Sequence, residues 1–114
     1  LLRRQKWSNQ HNQNDILEFG NAIIDFTSLK ASVDGKEIKL TNLEFRLMRV
    51  FFDNQEKVLS REDLMEKVWE IKDYLNLRTV DNFILRLRKY FEPDPSFPKY
   101  FHSFRGVGYK FTKD

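Results

Sequence analysis

The chain of 114 residues has no cysteine, only four glycines and three prolines, and no apolar run near the ~20 residues that span a bilayer. Without cysteine there is no disulfide and no thiolate chemistry, which suits a reducing compartment. The two histidines, His11 and His102, stand far apart, so no zinc site is expected. No signal-peptide pattern occurs. These absences predict a cytoplasmic protein that does not engage membranes and carries no metal or other cofactor.

Signatures of catalysis are missing as well. There is no nucleophile motif and no phosphate-cradling loop. Glu92 and Asp94 lie in a proline-rich segment, where loop polarity explains them better than an acid–base pair does. Gly106 and Gly108 have G-x-G spacing, but they lie in a predicted hairpin rather than between a strand and a helix. We therefore predict no catalytic residue and no enzyme activity.

What is present suffices for a compact domain. Hydrophobic residues make up 40% of the chain and include eleven phenylalanines, enough for a core. Residues 5–15 are polar, amide-rich and without period, as in a linker. The chain begins with Leu1 rather than Met, which suggests a fragment of a longer protein. We expect a linker segment over residues 1–15 and one domain over residues 16–114.

Two kinds of local signal divide that domain. From Ile16 to Leu40, short apolar runs alternate with turn signals, of which Asp34-Gly35 is the strongest. This stretch predicts a small antiparallel sheet of about four strands. Two helix starts follow. Thr41 and Glu44 form a capping box, and Ser60 with Asp63 repeats its pattern of a hydroxyl residue followed three positions later by an acidic residue. The domain is therefore predicted to be α+β.

A third helix, predicted over residues 77–91, has two contrasting faces. Val80, Ile84, Leu87 and Phe91 follow the spacing of a buried stripe. The opposite face carries polar and basic side chains, namely Arg78, Asn82, Leu85, Arg86 and Lys89. Such a helix can pack on a protein while it offers donors to a DNA groove.

The distribution of charge supports a polyanionic partner more than the net charge does. Residues 1–54 hold eight Lys or Arg against seven Asp or Glu, and residues 55–77 hold four against six. Residues 78–114 hold eight against four, so the local balances of +1, −2 and +4 give the net charge of +3. The excess lies on the third helix and on the hairpin predicted after it.

Several residues of the third helix have more than one interpretation. Arg86, central on the exposed face, is the best candidate for base reading. Two interpretations stay open for Asn82, a hydrogen bond to adenine and a solvated or capping role. For Leu85 they are contact with a thymine methyl and simple exposure to solvent. Phe83 is expected to pack in the core, whereas Trp69 suits a phosphate contact or core packing.

Contacts to phosphate are expected around these base readers. Lys89 and Arg88 are candidate phosphate anchors, although an intramolecular ion pair is the alternative for Arg88. The hydroxyls of Thr79 and Ser103 suit phosphate or local backbone capping. Arg105, at the predicted hairpin turn, suits a narrow minor groove or simple solvation.

The same residues resemble a known family, the DNA-binding effector domain of OmpR/PhoB-type response regulators. The matching motifs include Leu-Ser-Arg-Glu at 59–62, Arg-Thr-Val-Asp at 78–81, Leu-Arg-Lys at 87–89 and Arg-Gly-Val-Gly-Tyr at 105–109. Together the matches run from about residue 16 to 112, in the order and spacing of the family. Residues 1–4 are similar to the last turn of the receiver domain that precedes such effectors.

The resemblance implies a winged helix-turn-helix with a four-stranded N-terminal antiparallel sheet, three helices and a C-terminal hairpin wing. It places the recognition helix 77–91 in the major groove of double-stranded DNA and the wing, residues 100–112, at the minor groove. Arg78, Arg86 and Arg88 correspond to its recognition-helix cations. In the wing, Arg105 and Tyr109 correspond to residues beside the minor groove and backbone, and Lys110 is predicted to bind DNA with them.

Partners follow from the same resemblance. Members bind direct repeats as head-to-tail dimers, and some contact RNA polymerase through the segment that corresponds to residues 70–77. A sensor histidine kinase would act through a receiver domain outside this chain, as one step of a two-component phosphorelay. The isolated domain is expected to be a monomer.

A different class of function fits the same helix and wing. A winged helix can serve as a protein-interaction module that docks an acidic partner. Salt dependence separates the two hypotheses, because phosphate neutralisation makes DNA binding steeply salt-dependent.

Overall fold

The structure is a computed structural model that describes residues 15–70 and 77–113. It divides into two compact units, with the boundary between Lys39 and Leu40. The segment predicted to hold the end of a receiver helix and the interdomain linker, residues 1–15, lies outside the described residues except for Asp15.

The N-terminal unit is a meander of four short antiparallel strands, as predicted. They are β1 (Ile16–Phe19), β2 (Ala22–Asp25), β3 (Lys30–Val33) and β4 (Lys36–Ile38), in the spatial order β1-β2-β3-β4. Successive side chains of a strand point to opposite faces of the sheet, and one of these faces is buried. The buried side chains of this unit are Leu17, Phe19, Ala22, Ile24 and Ala31.

The predicted turn at Asp34-Gly35 joins β3 to β4. Val33 and Lys36 pair across it, and both central residues have positive φ, 55° for Asp34 and 79° for Gly35. Positive φ at both positions belongs to the two-residue turn whose twist matches the flanking strands.

The C-terminal unit contains three helices within the described residues, together with a second sheet. The elements are α1 (Asn42–Asp53), β5 (Val58–Leu59), α2 (Arg61–Leu64, continued by a π-helical turn over Met65–Trp69), α3 (Arg78–Phe91), β6 (Phe101–Phe104) and β7 (Gly108–Phe111). The last two strands form the predicted hairpin, so the predicted winged helix-turn-helix fold is confirmed.

Both predicted helix starts are correct. The Thr41 hydroxyl accepts from the Glu44 N–H at 3.2 Å, and the Glu44 carboxylate accepts from the Thr41 N–H at 2.8 Å. At α2, the Ser60 hydroxyl accepts from the Asp63 N–H at 3.0 Å. These side chains satisfy N–H groups that have no partner inside the helix.

Aromatic packing joins the hairpin to the helices of this unit. The Phe101 ring lies 6.0 Å from that of Phe51, 5.4 Å from that of Phe111 and 6.3 Å from that of Phe91, measured between centroids. All four rings are buried. Since α1, α3, β6 and β7 each contribute one ring, the wing is fixed to the helices by a shared core.

One strand was not predicted. The two-residue β5 pairs antiparallel with β7, so the hairpin becomes a three-stranded sheet with the order β5-β7-β6. A Cβ placed on Gly108 would lie 1.9 Å from the Leu59 carbonyl oxygen. Glycine at position 108 is therefore required by the close approach of β5 rather than by a turn alone.

Candidate nucleic-acid interface

Helix α3 separates its buried and exposed side chains as the periodicity predicts. Its inward face carries Val80, Phe83, Ile84, Leu87 and Phe91, which are buried. The outward face carries Arg78, Asn82, Leu85, Arg86 and Lys89, which are exposed. Leu85 is a large apolar side chain that keeps 54% of its surface exposed. The helix therefore presents cations, an amide and an apolar side chain together.

Arg86 lies over an aromatic ring rather than beside a carboxylate. Its guanidinium carbon is 4.7 Å from the centroid of the Phe83 ring. Phe83 is only 9% exposed, and its ring meets that of Trp69 edge to face with centroids 4.9 Å apart. Phe83 is thus a packing residue, as expected, and Trp69 takes part in the same packing.

Arg88 is bonded within the domain. Its Nε and Nη2 donate to the Phe101 carbonyl oxygen at 3.1 and 2.8 Å, and Nη2 also donates to the Ser103 hydroxyl at 2.7 Å. The intramolecular alternative therefore describes these contacts, although the partners are a carbonyl and a hydroxyl instead of a carboxylate. Arg88 links α3 to β6.

Asp81 joins three elements. Its Oδ2 accepts from Arg61 Nη1 at 3.1 Å, and its Oδ1 accepts from the Tyr109 hydroxyl at 2.5 Å. Burial, then the hydrogen bond to Asp81 and its negative charge, raise the pKa of Tyr109 to about 12. The Asp81 clasp, meaning Asp81 with Arg61 and Tyr109, holds β7 and the start of α2 against α3.

The hairpin tip is exposed. Arg105, Gly106 and Val107 form the turn between β6 and β7, and Gly106 has a φ of 77°. At the flank of the hairpin, the Lys110 ammonium lies 5.3 Å from the centroid of the Phe104 ring. An open cleft of about 320 Å³ runs between the tip and the Asp81 clasp. Its lining includes the donors Arg61, Ser103 and Arg105 as well as the carboxylates of Glu62 and Asp81.

Glu92 has a structural function that the sequence analysis missed. Its carboxylate is buried and accepts from the N–H groups of Lys99 at 2.8 Å, Tyr100 at 3.0 Å and Phe101 at 2.9 Å. The residue folds the proline-rich segment back so that β6 starts beside the end of α3. A buried acid with three backbone donors has no sequence signature, because its partners follow seven to nine residues later.

Two further predicted site residues lie on α3 and on the hairpin. Thr79 is partly exposed near the start of α3, and Ser103 is exposed on β6. For the predicted contact segment 70–77, only Glu70 and Leu77 are described, and residues 71–76 lie outside the described residues. The DNA contacts of all eleven predicted residues remain predictions.

Within residues 15–70 and 77–113, no group of three or more His, Cys, Asp or Glu side chains is arranged to hold a metal ion. In the same part of the chain, no helix is long and apolar enough to cross a membrane.

The chain belongs to the family described as transcriptional regulatory protein, C terminal, which it matches over residues 35–111. It is 35% identical over 111 residues to a probable transcriptional regulatory protein of Picosynechococcus. That match covers 97% of this chain but 44% of the relative, so the chain spans less than half of the relative's length.

Solved structures give the same family. The response regulator DrrB of Thermotoga maritima, an OmpR/PhoB homologue, is 40% identical and superimposes with a TM-score of 0.76, covering 86% of this chain and 44% of that one. The DNA-binding domain of the response regulator AdeR, solved in complex with an intercistronic region, is 26% identical with a TM-score of 0.67. The match covers 86% of this chain and 100% of the AdeR domain. The resemblance to OmpR/PhoB-type regulators is thereby confirmed.

Proposed function

We propose that this domain binds double-stranded DNA in a sequence-specific manner, as the output domain of a two-component transcriptional regulator. The observation that carries the proposal is the exposed face of α3. Within residues 15–70 and 77–113, no carboxylate pairs with Arg78, Arg86 or Lys89. A cluster of cations without a carboxylate partner among these residues, beside a basic hairpin, suits a polyanion.

Helix α3 would enter the major groove with its exposed face toward the base edges. There Arg86 would donate to guanine, Asn82 to adenine, and Leu85 would touch a thymine methyl. Arg78, Thr79 and Lys89 would contact phosphates, which fix register without reading sequence. The AdeR DNA-binding domain, which has a similar fold and was solved in complex with an intercistronic region, supports DNA binding by this domain.

The hairpin would lie over the neighbouring minor groove. Arg105 at its tip would enter a narrow groove, where the negative potential is strongest. Ser103, Tyr109 and Lys110 would approach the sugar–phosphate backbone, as would the donors that Arg88 keeps beyond its internal bonds. Arg61, Ser103 and Arg105 line the cleft beside the tip and would supply donors to that backbone.

Assembly and the larger protein belong to the same proposal. One such domain would bury roughly 600–1,000 Å² on a half-site, so the monomeric fragment would bind weakly and a dimer on direct repeats tightly. Residues 1–15 would connect it to a receiver domain, through which a sensor histidine kinase acts in the cytoplasm. The segment 70–77 would contact RNA polymerase.

The first test is selection of bound sites from a random duplex library at physiological salt. A short repeated motif is expected, with a repeat spacing that reports how two domains lie along the DNA. Arg86→Ala should lower affinity for the selected site by about 1–3 kcal/mol, the worth of one bidentate base contact. Its affinity for scrambled duplex should change little.

Salt titration provides the control. Each phosphate contact adds about 0.9 to the log–log salt slope, so four contacts would give a slope near −3.6. If no motif emerged even from two fused domains, and the slope were shallow, sequence-specific binding would be rejected in favour of the protein-interaction module.

A further inference from the structure

We propose that Phe83 is a specificity-determining positioning residue, which holds the Arg86 guanidinium ready for base reading. This inference rests on the proposed function of Arg86. The observation behind it is the arrangement of three side chains on α2 and α3: the Arg86 guanidinium over the Phe83 ring, and the Phe83 ring against Trp69.

The ring is a fixed platform. Phe83 is 9% exposed and meets Trp69 edge to face at 4.9 Å between centroids, so its orientation is set by packing. Arg86 lies three residues later on the same helix, and side chains at this spacing are neighbours. The guanidinium carbon is 4.7 Å from the ring centroid, inside the ~6 Å range of a cation–π contact.

The type of partner decides what Arg86 keeps available. A carboxylate would occupy the N–H donors at the edge of the guanidinium, which are the groups that fork onto guanine. An aromatic ring engages the cation through its π face and accepts no conventional hydrogen bond from those donors. Arg88, two residues on, shows the contrasting case, because its Nε and Nη2 already donate to Phe101 and Ser103.

Holding the side chain in place also lowers the cost of binding. Arginine has a long, flexible side chain, and fixing it at an interface costs conformational entropy. Contact with an ordered ring removes part of that cost before DNA arrives. The effect should appear as base discrimination at the position that Arg86 reads, and not as a general gain in affinity.

The experiment uses the whole chain with the duplex recovered by selection and a scrambled duplex. Phe83→Leu keeps an apolar side chain in the core but removes the ring. The ratio of the two affinities should fall about two- to fivefold, the worth of an exposed cation–π contact. The loss should fall on the base position that Arg86→Ala affects. Phe83→Tyr, which keeps the ring, should have the affinity ratio of the wild type.

A measurement without DNA checks the geometry. In free protein the Arg86 Cδ protons should show an upfield ring-current shift by NMR, which Phe83→Leu removes and Phe83→Tyr keeps. If Phe83→Leu does not fold, Phe83→Met takes its place, since unbranched methionine adapts to irregular core space. No ring-current shift in the folded wild type would overturn the inference.

A double-mutant cycle separates the possible failures. If Phe83→Leu has no effect on the ratio in an Arg86→Ala background, the two residues act together, as proposed. An equal loss in both backgrounds would mean general packing and would overturn the inference. The inference would also be overturned if Arg86→Ala lowered the affinity ratio and Phe83→Leu left it unchanged. That result would leave the proposed function intact. If Arg86→Ala weakens both duplexes equally, base reading by Arg86 fails as well.

Discussion

Two regions of α3 use the same residue types for opposite purposes. On the exposed face, Arg86 lies over an aromatic ring, and among the described residues neither Arg86 nor Lys89 forms a salt bridge. At the junction with the hairpin, Arg88 and Asp81 are bonded to β6, β7 and α2. Arg86 and Arg88 are two residues apart, yet they face different neighbours because a helix turns about 200° over that interval.

The difference teaches how a small domain divides its polar groups. A donor satisfied within the fold contributes to stability and geometry, and it has less to offer a ligand. A donor left to solvent contributes little to stability and is available for binding. We therefore expect substitutions at the junction to lower the free energy of unfolding, and substitutions on the exposed face to change binding alone.

The largest expected effect lies at the edge of the junction, at Gly108. Gly108→Ala places a Cβ 1.9 Å from the Leu59 carbonyl oxygen, so β5 and β7 must separate. The free energy of unfolding should fall by about 3 kcal/mol, from overpacking and backbone strain together. Chemical denaturation followed by circular dichroism measures it.

Gly106→Ala is the matched control. Gly106 also has positive φ, 77°, but nothing lies within 4 Å of an added Cβ. Only the left-handed conformation is then penalised, at about 1 kcal/mol. Equal losses in the two variants would show that close approach to β5 is not what requires glycine at position 108.

The sequence predicted most of the fold because the relevant signals are local. A capping box is complete within four residues, as at Thr41 and Glu44, and the Asp34-Gly35 turn is complete within two. The buried stripe of α3 follows directly from the helical period. By contrast, β5 is only two residues long and is defined by its pairing with β7, some fifty residues later, so no local pattern announces it.

The sequence predicted which face of α3 is exposed, but it did not predict the tertiary contacts of the side chains in the candidate site. The helical period predicted that Arg86 faces outward. Its contact with the Phe83 ring depends on packing of that ring against Trp69 from another helix. The bonds of Arg88 to Phe101 and Ser103, and those of Glu92 to the segment before β6, likewise join residues that tertiary packing brings together. Composition reveals which donors exist, and only packing decides which of them are already used.

A pair of neighbouring cations sharpens the comparison. Arg88→Ala removes the donors to the Phe101 carbonyl and the Ser103 hydroxyl, and should lower the free energy of unfolding by about 1–2 kcal/mol. Lys89→Ala should change it by less than about 0.5 kcal/mol, as expected for an exposed residue. Denaturation curves of the two variants at one pH provide the test.

DNA binding should separate the same pair in the opposite sense. If Lys89 contacts a phosphate, Lys89→Ala reduces the log–log salt slope by about 0.9 at unchanged stability. The division between the regions would be wrong if Lys89→Ala destabilised the domain as much as Arg88→Ala.

A smaller loss of stability than that of Arg88→Ala is expected from the hydroxyl of Tyr109 in the Asp81 clasp. Tyr109→Phe removes one hydrogen bond to Asp81 and should cost about 1 kcal/mol near neutral pH. The pKa of Tyr109 is raised from 10.0 to about 12, so the folded state holds this proton more tightly than the unfolded state does. The stabilisation is therefore complete below pH 10 and is lost as the pH rises toward 12.

Alkaline denaturation of the wild type and Tyr109→Phe isolates this contribution. Other groups titrate in the same range, but they do so in both proteins and cancel in the difference. The stability gap between the two should shrink steadily from pH 10 to 12. A gap that stays constant over this interval would mean that the Tyr109 hydroxyl does not donate to Asp81 in solution. The hairpin would then be held to α3 by its aromatic core, by Arg88 and by the bonds of Glu92.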